Sequence, residues 1–72
     1  MIYENIRRIA KEQGYSIRDV EKALFFSNGY LRRWKDNAPV SKLLRVADFL
    51  GVDLNDLLGR KKWLEDWKHD NI

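Results

Sequence analysis

The chain has no cysteine, a single histidine, one methionine, one proline and four glycines. Without cysteine there is no disulfide staple and no thiolate metal ligand, and the composition fits a reducing compartment. We expect the cytoplasm. His69 has no second histidine beside it, so no metal site is expected, and no cofactor. No Ser/His/Asp set, glycine-rich phosphate loop or HExxH motif is present, so the expectation is a protein that is not an enzyme. Uncharged apolar runs reach only a few residues, far short of the roughly 20 of a membrane span. No basic-then-apolar leader suggests secretion. Alternating apolar runs closed by turn dipeptides are missing, so strands are not expected.

What is present is enough to fold. Seventy-two residues allow one domain, with a core that buries only roughly 60% of the unfolded surface. A composition 44% hydrophobic and 35% charged is not that of a disordered tail. The formal charge of +3 is unevenly spread. Residues 30–45 carry Arg32, Arg33, Lys35, Lys42 and Arg45 against the single acid Asp36. Residues 46–59 carry Asp48, Asp53 and Asp56 with no base. A basic middle beside an acidic patch points to a polyanion on one face, or to an ordinary solvated surface.

Gly14, Gly29, Pro39, Gly51 and Gly59 punctuate the chain, and four of them cut it into helix-sized pieces. Ile2, Ile6, Ile9, Ala10 and Gln13 give residues 2–13 one stripe at helical spacing. Ser16 with Asp19 makes a capping pattern for a second helix. Ile17, Val20 and Leu24 mark its inward face, and it should end near Phe25. Ser27 is a good cap for a third helix, 27–36. There Leu31 and Trp34 lie about 60° apart and mark the buried side. Gly29, Arg32, Arg33 and Asp36 fall opposite. Two short helices with a turn around Phe25–Ser27 make the layout of a helix-turn-helix over about 16–36. Pro39 fits the first turn of a fourth helix carrying Leu43, Val46, Ala47 and Leu50. Asp53, with Asp56 three residues on, caps a fifth helix that Gly59 ends.

From Met1 to Gly59 the chain resembles the lambda-repressor-like helix-turn-helix family, the Cro/CI type also called XRE. The stretches "IYENIRRIAKEQGYSIRDVEKAL", "SNGYLRRWKDN" and "LLRVADFLGVDLNDLLG" carry the likeness. It is similar in particular to small regulators of Gram-positive phages and mobile elements. The resemblance implies an all-α, five-helix DNA-binding domain over 1–59, followed by a helical C-terminal extension over 60–72. It implies a transcriptional regulator, expected to repress, that binds double-stranded DNA as a homodimer on a palindrome with helix 27–36 in the major groove. Asn28, Gly29, Tyr30, Arg32 and Arg33 would then meet bases. Asn pairs bidentately with adenine, and Arg with guanine O6/N7. Ser16, Arg18, Ser27, Lys35, Asn37 and Lys42 would hold phosphates.

The pattern departs from the family at four places. Ile17 stands where a Gln often orients a base-reading residue. Phe25 stands where the turn usually has Gly, so the turn is remodelled or Phe25 packs outward. Glu21 replaces a small Ala, and Pro39 comes one residue late. In the extension, Trp63, Leu64 and Trp67 share a helical face. They fold back on the core or form a dimer interface, which is the role we expect. A membrane-surface role is opposed by Glu65, Asp66 and Asp70. No small-molecule ligand is suggested. The competing functional expectation is a protein-interaction module of the same fold, such as an antitoxin or anti-repressor.

Overall fold

The computed structural model describes residues 1–59. The expected helical extension, Trp63, Leu64, Trp67 and His69 lie outside the described residues. Within 1–59 the chain is all-helical, with α1 (Ile2–Glu12), α2 (Ile17–Ala23), α3 (Val40–Leu50), α4 (Leu54–Leu58) and one 3-10 turn, Leu31–Arg33. No strand occurs among the described residues. The fold class is therefore all-α, with four α-helices where the sequence predicted five.

Local chemistry sets the helix limits. Ser16 and Asp19 form a reciprocal capping box at the head of α2, and Asp53 and Asp56 form another at α4. Gly51 and Gly59 close α3 and α4. Pro39 sits one position earlier than predicted. Its extended backbone (ψ 125°) makes it the cap of α3, and its carbonyl accepts from Leu43 N at 2.9 Å.

The core joins Ile2, Ile6, Ile9 and Ala10 of α1, Val20 of α2, and Leu43, Val46, Ala47 and Leu50 of α3. Leu57 of α4 and Phe26, Leu31 and Trp34 from the connection between α2 and α3 complete it. With no disulfide and a small core, the helix ends need other fasteners. A carbonyl at or just past the C-terminal end of each of α2, α3 and α4 accepts a side-chain donor from another part of the fold. Arg45 donates to Leu24 O at 2.7 Å, Gln13 to Leu50 O at 2.6 Å, and Asn5 to Leu57 O at 2.9 Å. Such bonds satisfy carbonyls that a helix leaves orphaned at its end. No helix among the described residues is long and apolar enough to cross a membrane.

Candidate nucleic-acid interface

The largest correction to the sequence reading falls on residues 27–36. They do not form a helix. They form a turn that tightens into the 3-10 turn Leu31–Arg33. The cause lies on α2. Glu21 is 1% exposed, and its carboxylate accepts from two backbone amides of the connection. Oε1 takes Gly29 N at 3.2 Å and Oε2 takes Leu31 N at 3.1 Å. Arg18 Nη1 reaches Oε1 at 3.4 Å. A buried carboxylate is costly unless such partners surround it. By holding these amides it bends the backbone around itself, and Gly29 at φ +85° permits the bend. A Cβ at Gly29 would meet no protein atom within 4 Å, so its left-handed backbone, rather than a crowded neighbour, calls for glycine.

Two further anchors fix the segment. Leu31 is fully buried and Trp34 is 3% exposed, as the sequence predicted. The carbonyls of Trp34 and Lys35 accept from Tyr3 N and Ile2 N, each at 2.9 Å. The first amides of α1, which a helix cannot satisfy internally, thus clamp the far end of the turn.

The predicted site residues separate into groups. Asn28, Arg32 and Arg33 are exposed on the pinned turn. Among the described residues neither arginine pairs with a carboxylate; the ion pairs there are Arg8–Glu12 and Arg18–Glu21. Arg18, Asn28, Gly29 and Arg32 line one hollow. Ser27, Tyr30 and Lys42 line another, with Phe25, Phe26 and Arg45. In that second group Tyr30 is half-buried, edge-on to Phe26 and Trp34 with centroids 5.0 and 5.5 Å away. Lys42 Nζ stands 5.4 Å above the Tyr30 ring. Lys35 and Asn37 are exposed beyond the turn. Ser16 is exposed, but its hydroxyl accepts Asp19 N at 3.0 Å in the capping box. Asp19 accepts in return from Ser16 N at 2.8 Å. The Ser16 backbone amide, then its hydroxyl, hold the Asp19 carboxyl below its usual range, with Lys22 adding to the effect.

Phe25 meets both expectations stated for it. It is left-handed (φ +62°) and also points outward, 92% exposed.

Several participants were missed. Glu21 sits at i+4 from Ile17, inside the apolar stripe that Ile17, Val20 and Leu24 define, so an acid in a core register was the available signal. Arg45 joins α3 to α2 by its bond to Leu24 O and lies 5.2 Å from the Phe26 ring. Tyr3, Arg7, Lys11 and Tyr15 line a groove with Gly14, Ser16, Ile17 and Arg32. The four-residue spacing of Tyr3, Arg7 and Lys11 puts them on one line of α1. Among the described residues no group of three or more His, Cys, Asp or Glu is placed to hold a metal ion. No protein-family model, curated protein or solved structure matches the chain.

Proposed function

We propose that the chain is a sequence-specific DNA-binding regulator of transcription, a repressor of the Cro/CI kind, that acts as a dimer on a palindromic site. The observation that carries this reading is the pinned turn. Arg32 and Arg33 project from a backbone fixed by Glu21 on one side and by Leu31 and Trp34 on the other. With the backbone already ordered, only the two arginine side chains have ordering entropy left to lose when they meet a base edge or a phosphate. Arg suits guanine, and Asn28 beside them suits adenine. The reading element is therefore a rigid turn and not an inserted helix. One such turn offers few base contacts. A second copy adds a half-site about 34 Å away, one helical turn along the duplex.

Selection of bound sequences from random duplex DNA tests binding, half-site spacing and oligomeric state together. Enrichment of a palindrome is expected. Arg33→Ala should relax preference at one position by about 1–3 kcal/mol. Recovery of no preferred sequence at low salt would sink the proposal.

A second reading, a protein-interaction module such as an antitoxin, draws on Phe25. A large apolar side chain exposed on left-handed backbone is uncommon. Replacing Arg32 and Arg33 with Glu separates the two. Loss of DNA binding with loss of regulation supports the first, and regulation that survives supports the second.

A further inference from the structure

In the groove between α1 and the pinned turn, Arg32 and Ser16 belong to the contacts assigned so far, and Tyr3, Arg7, Lys11 and Tyr15 do not. The groove encloses about 710 Å³ and is lined by Tyr3, Arg7, Lys11, Tyr15, Ser16 and Arg32 among others, with no acidic side chain in its wall. We infer that this groove receives the sugar-phosphate backbone of the bound duplex, with Arg7 and Lys11 as phosphate ligands that extend the footprint onto α1. The inference rests on the DNA-binding reading above and adds to it a second contact surface.

Four observations converge. Arg7 and Lys11 are four residues apart on α1, which is about 6 Å along the axis and places both on one side. Two long cationic side chains in that register can meet neighbouring phosphates of one strand. Both are exposed, and among the described residues neither pairs with a carboxylate. Arg8, next in sequence, differs: its guanidinium lies 3.8 Å from Glu12. On α1, therefore, Arg8 is engaged by Glu12, whereas Arg7 and Lys11 share a neighbouring hollow with Glu4 without forming an ion pair among the described residues.

Arg32 supplies the connection. It lines this groove and also the hollow that holds Arg18, Asn28 and Gly29. A polyanion lying along Arg32 is led directly toward Arg7 and Lys11. The walls are held still as well. The Tyr15 ring packs on Phe49 with centroids 5.2 Å apart, and the Tyr3 amide is bonded to Trp34 O. Tyrosine hydroxyls are ordinary donors to phosphate oxygens, and the rings offer an apolar wall to the sugars.

Fluorescence anisotropy with a 30-base-pair duplex of mixed sequence, titrated at several salt concentrations, tests this. The double variant Arg7→Ala/Lys11→Ala should bind roughly tenfold more weakly at low salt. The slope of log K against log salt should fall in magnitude by about 2, because two phosphate contacts are gone. Arg8→Ala removes one charge from the same helix and should leave affinity within about twofold, whereas Arg7→Ala alone should exceed that change. The swap Arg7→Lys/Lys11→Arg keeps both charges and should restore binding. Both positions are exposed, so the thermal unfolding of each variant should match the wild type, and an alanine variant that fails this check is replaced by Arg7→Gln/Lys11→Gln, which removes the same charges with good helix formers.

Should Arg7→Ala and Arg8→Ala weaken binding equally, a diffuse field is acting and the groove assignment is overturned. An unchanged salt slope in the double variant, while Arg32→Ala/Arg33→Ala abolishes binding, overturns the groove and leaves the DNA reading intact. Failure of the wild-type chain to bind the duplex at all overturns both.

Discussion

Ser16 and Ser27 stand in similar sequence surroundings and meet different ends. Each precedes a short run with apolar residues at helical spacing. Ser16 starts α2; Ser27 starts a turn that never becomes an α-helix. Two differences account for this. Three residues beyond Ser16 stands Asp19, which closes the capping box, whereas three beyond Ser27 stands Tyr30, which has no carboxylate to return the bond. The amides after Ser27 are also already taken, because Glu21 holds Gly29 N and Leu31 N. A capping residue nucleates a helix only where the following amides are free to accept its geometry. At Ser27 a buried acid from the preceding helix wins, and the charged bonds it makes are the stronger ones.

That competition is broken most directly at Glu21. Glu21→Ala leaves Leu31 N buried without a partner and should cost roughly 2–3 kcal/mol. Glu21→Gln keeps one acceptor oxygen and should cost roughly half as much. Urea unfolding measures both. If Glu21→Ala proves neutral, the carboxylate is not what shapes the turn. The serines sharpen the contrast at smaller scale. Ser16→Ala removes a working cap and should cost about 1 kcal/mol. Among the described residues the helix-capping side chains are Ser16 and Asp53, not Ser27, so Ser27→Ala should stay within about 0.5 kcal/mol. Equal losses at the two serines would contradict the comparison.

Phe25 joins the two regions and offers the opposite sign. Its left-handed backbone costs an L-residue on the order of 1 kcal/mol. Its side chain is 92% exposed, so little burial is lost with it. Phe25→Gly should therefore stabilise the fold, by about 0.5 kcal/mol after the extra freedom of glycine in the unfolded chain is counted. Phe25→Val should destabilise, since a branched Cβ fits that backbone worse. A higher urea midpoint for the glycine variant is the expected readout.

The elements that could be read from sequence are those fixed locally. Ser16 with Asp19 and Asp53 with Asp56 are each separated by three residues, and both boxes form. The buried pair Leu31 and Trp34 was legible, but its helical conformation was not. A spacing of three satisfies an α-helix and a 3-10 turn alike, since the latter repeats every three residues. What decided between them was Glu21, eight and ten positions from the amides it holds. No local period encodes a bond of that span. The exposed arginines were legible as a patch, and so was the inward-facing side of α2. The groove on α1 was not, because it needs Arg32 and the Tyr3–Lys11 line to be brought together by the fold.

The smallest effect concerns pH, and it belongs to the Ser16 side alone. In the folded chain the Asp19 carboxyl lies below its usual range, first because Ser16 N donates to it and then because the Ser16 hydroxyl and Lys22 favour its charged form. A depressed folded-state pKa contributes stability that is complete above the unfolded value, about 3.9, and is lost as pH falls through the lower folded value. The difference in melting temperature between wild type and Asp19→Asn should therefore be flat from about pH 7 to pH 5 and shrink below about pH 4. The group is exposed, so salt should reduce the difference further. Adding Ser27→Ala to either chain should leave the shape of that curve unchanged, because the turn at Ser27 has no equivalent of the Ser16–Asp19 exchange. A difference that grows on acidification would mean the carboxyl is favoured in its protonated form, and the capping bonds could then not be what holds the head of α2.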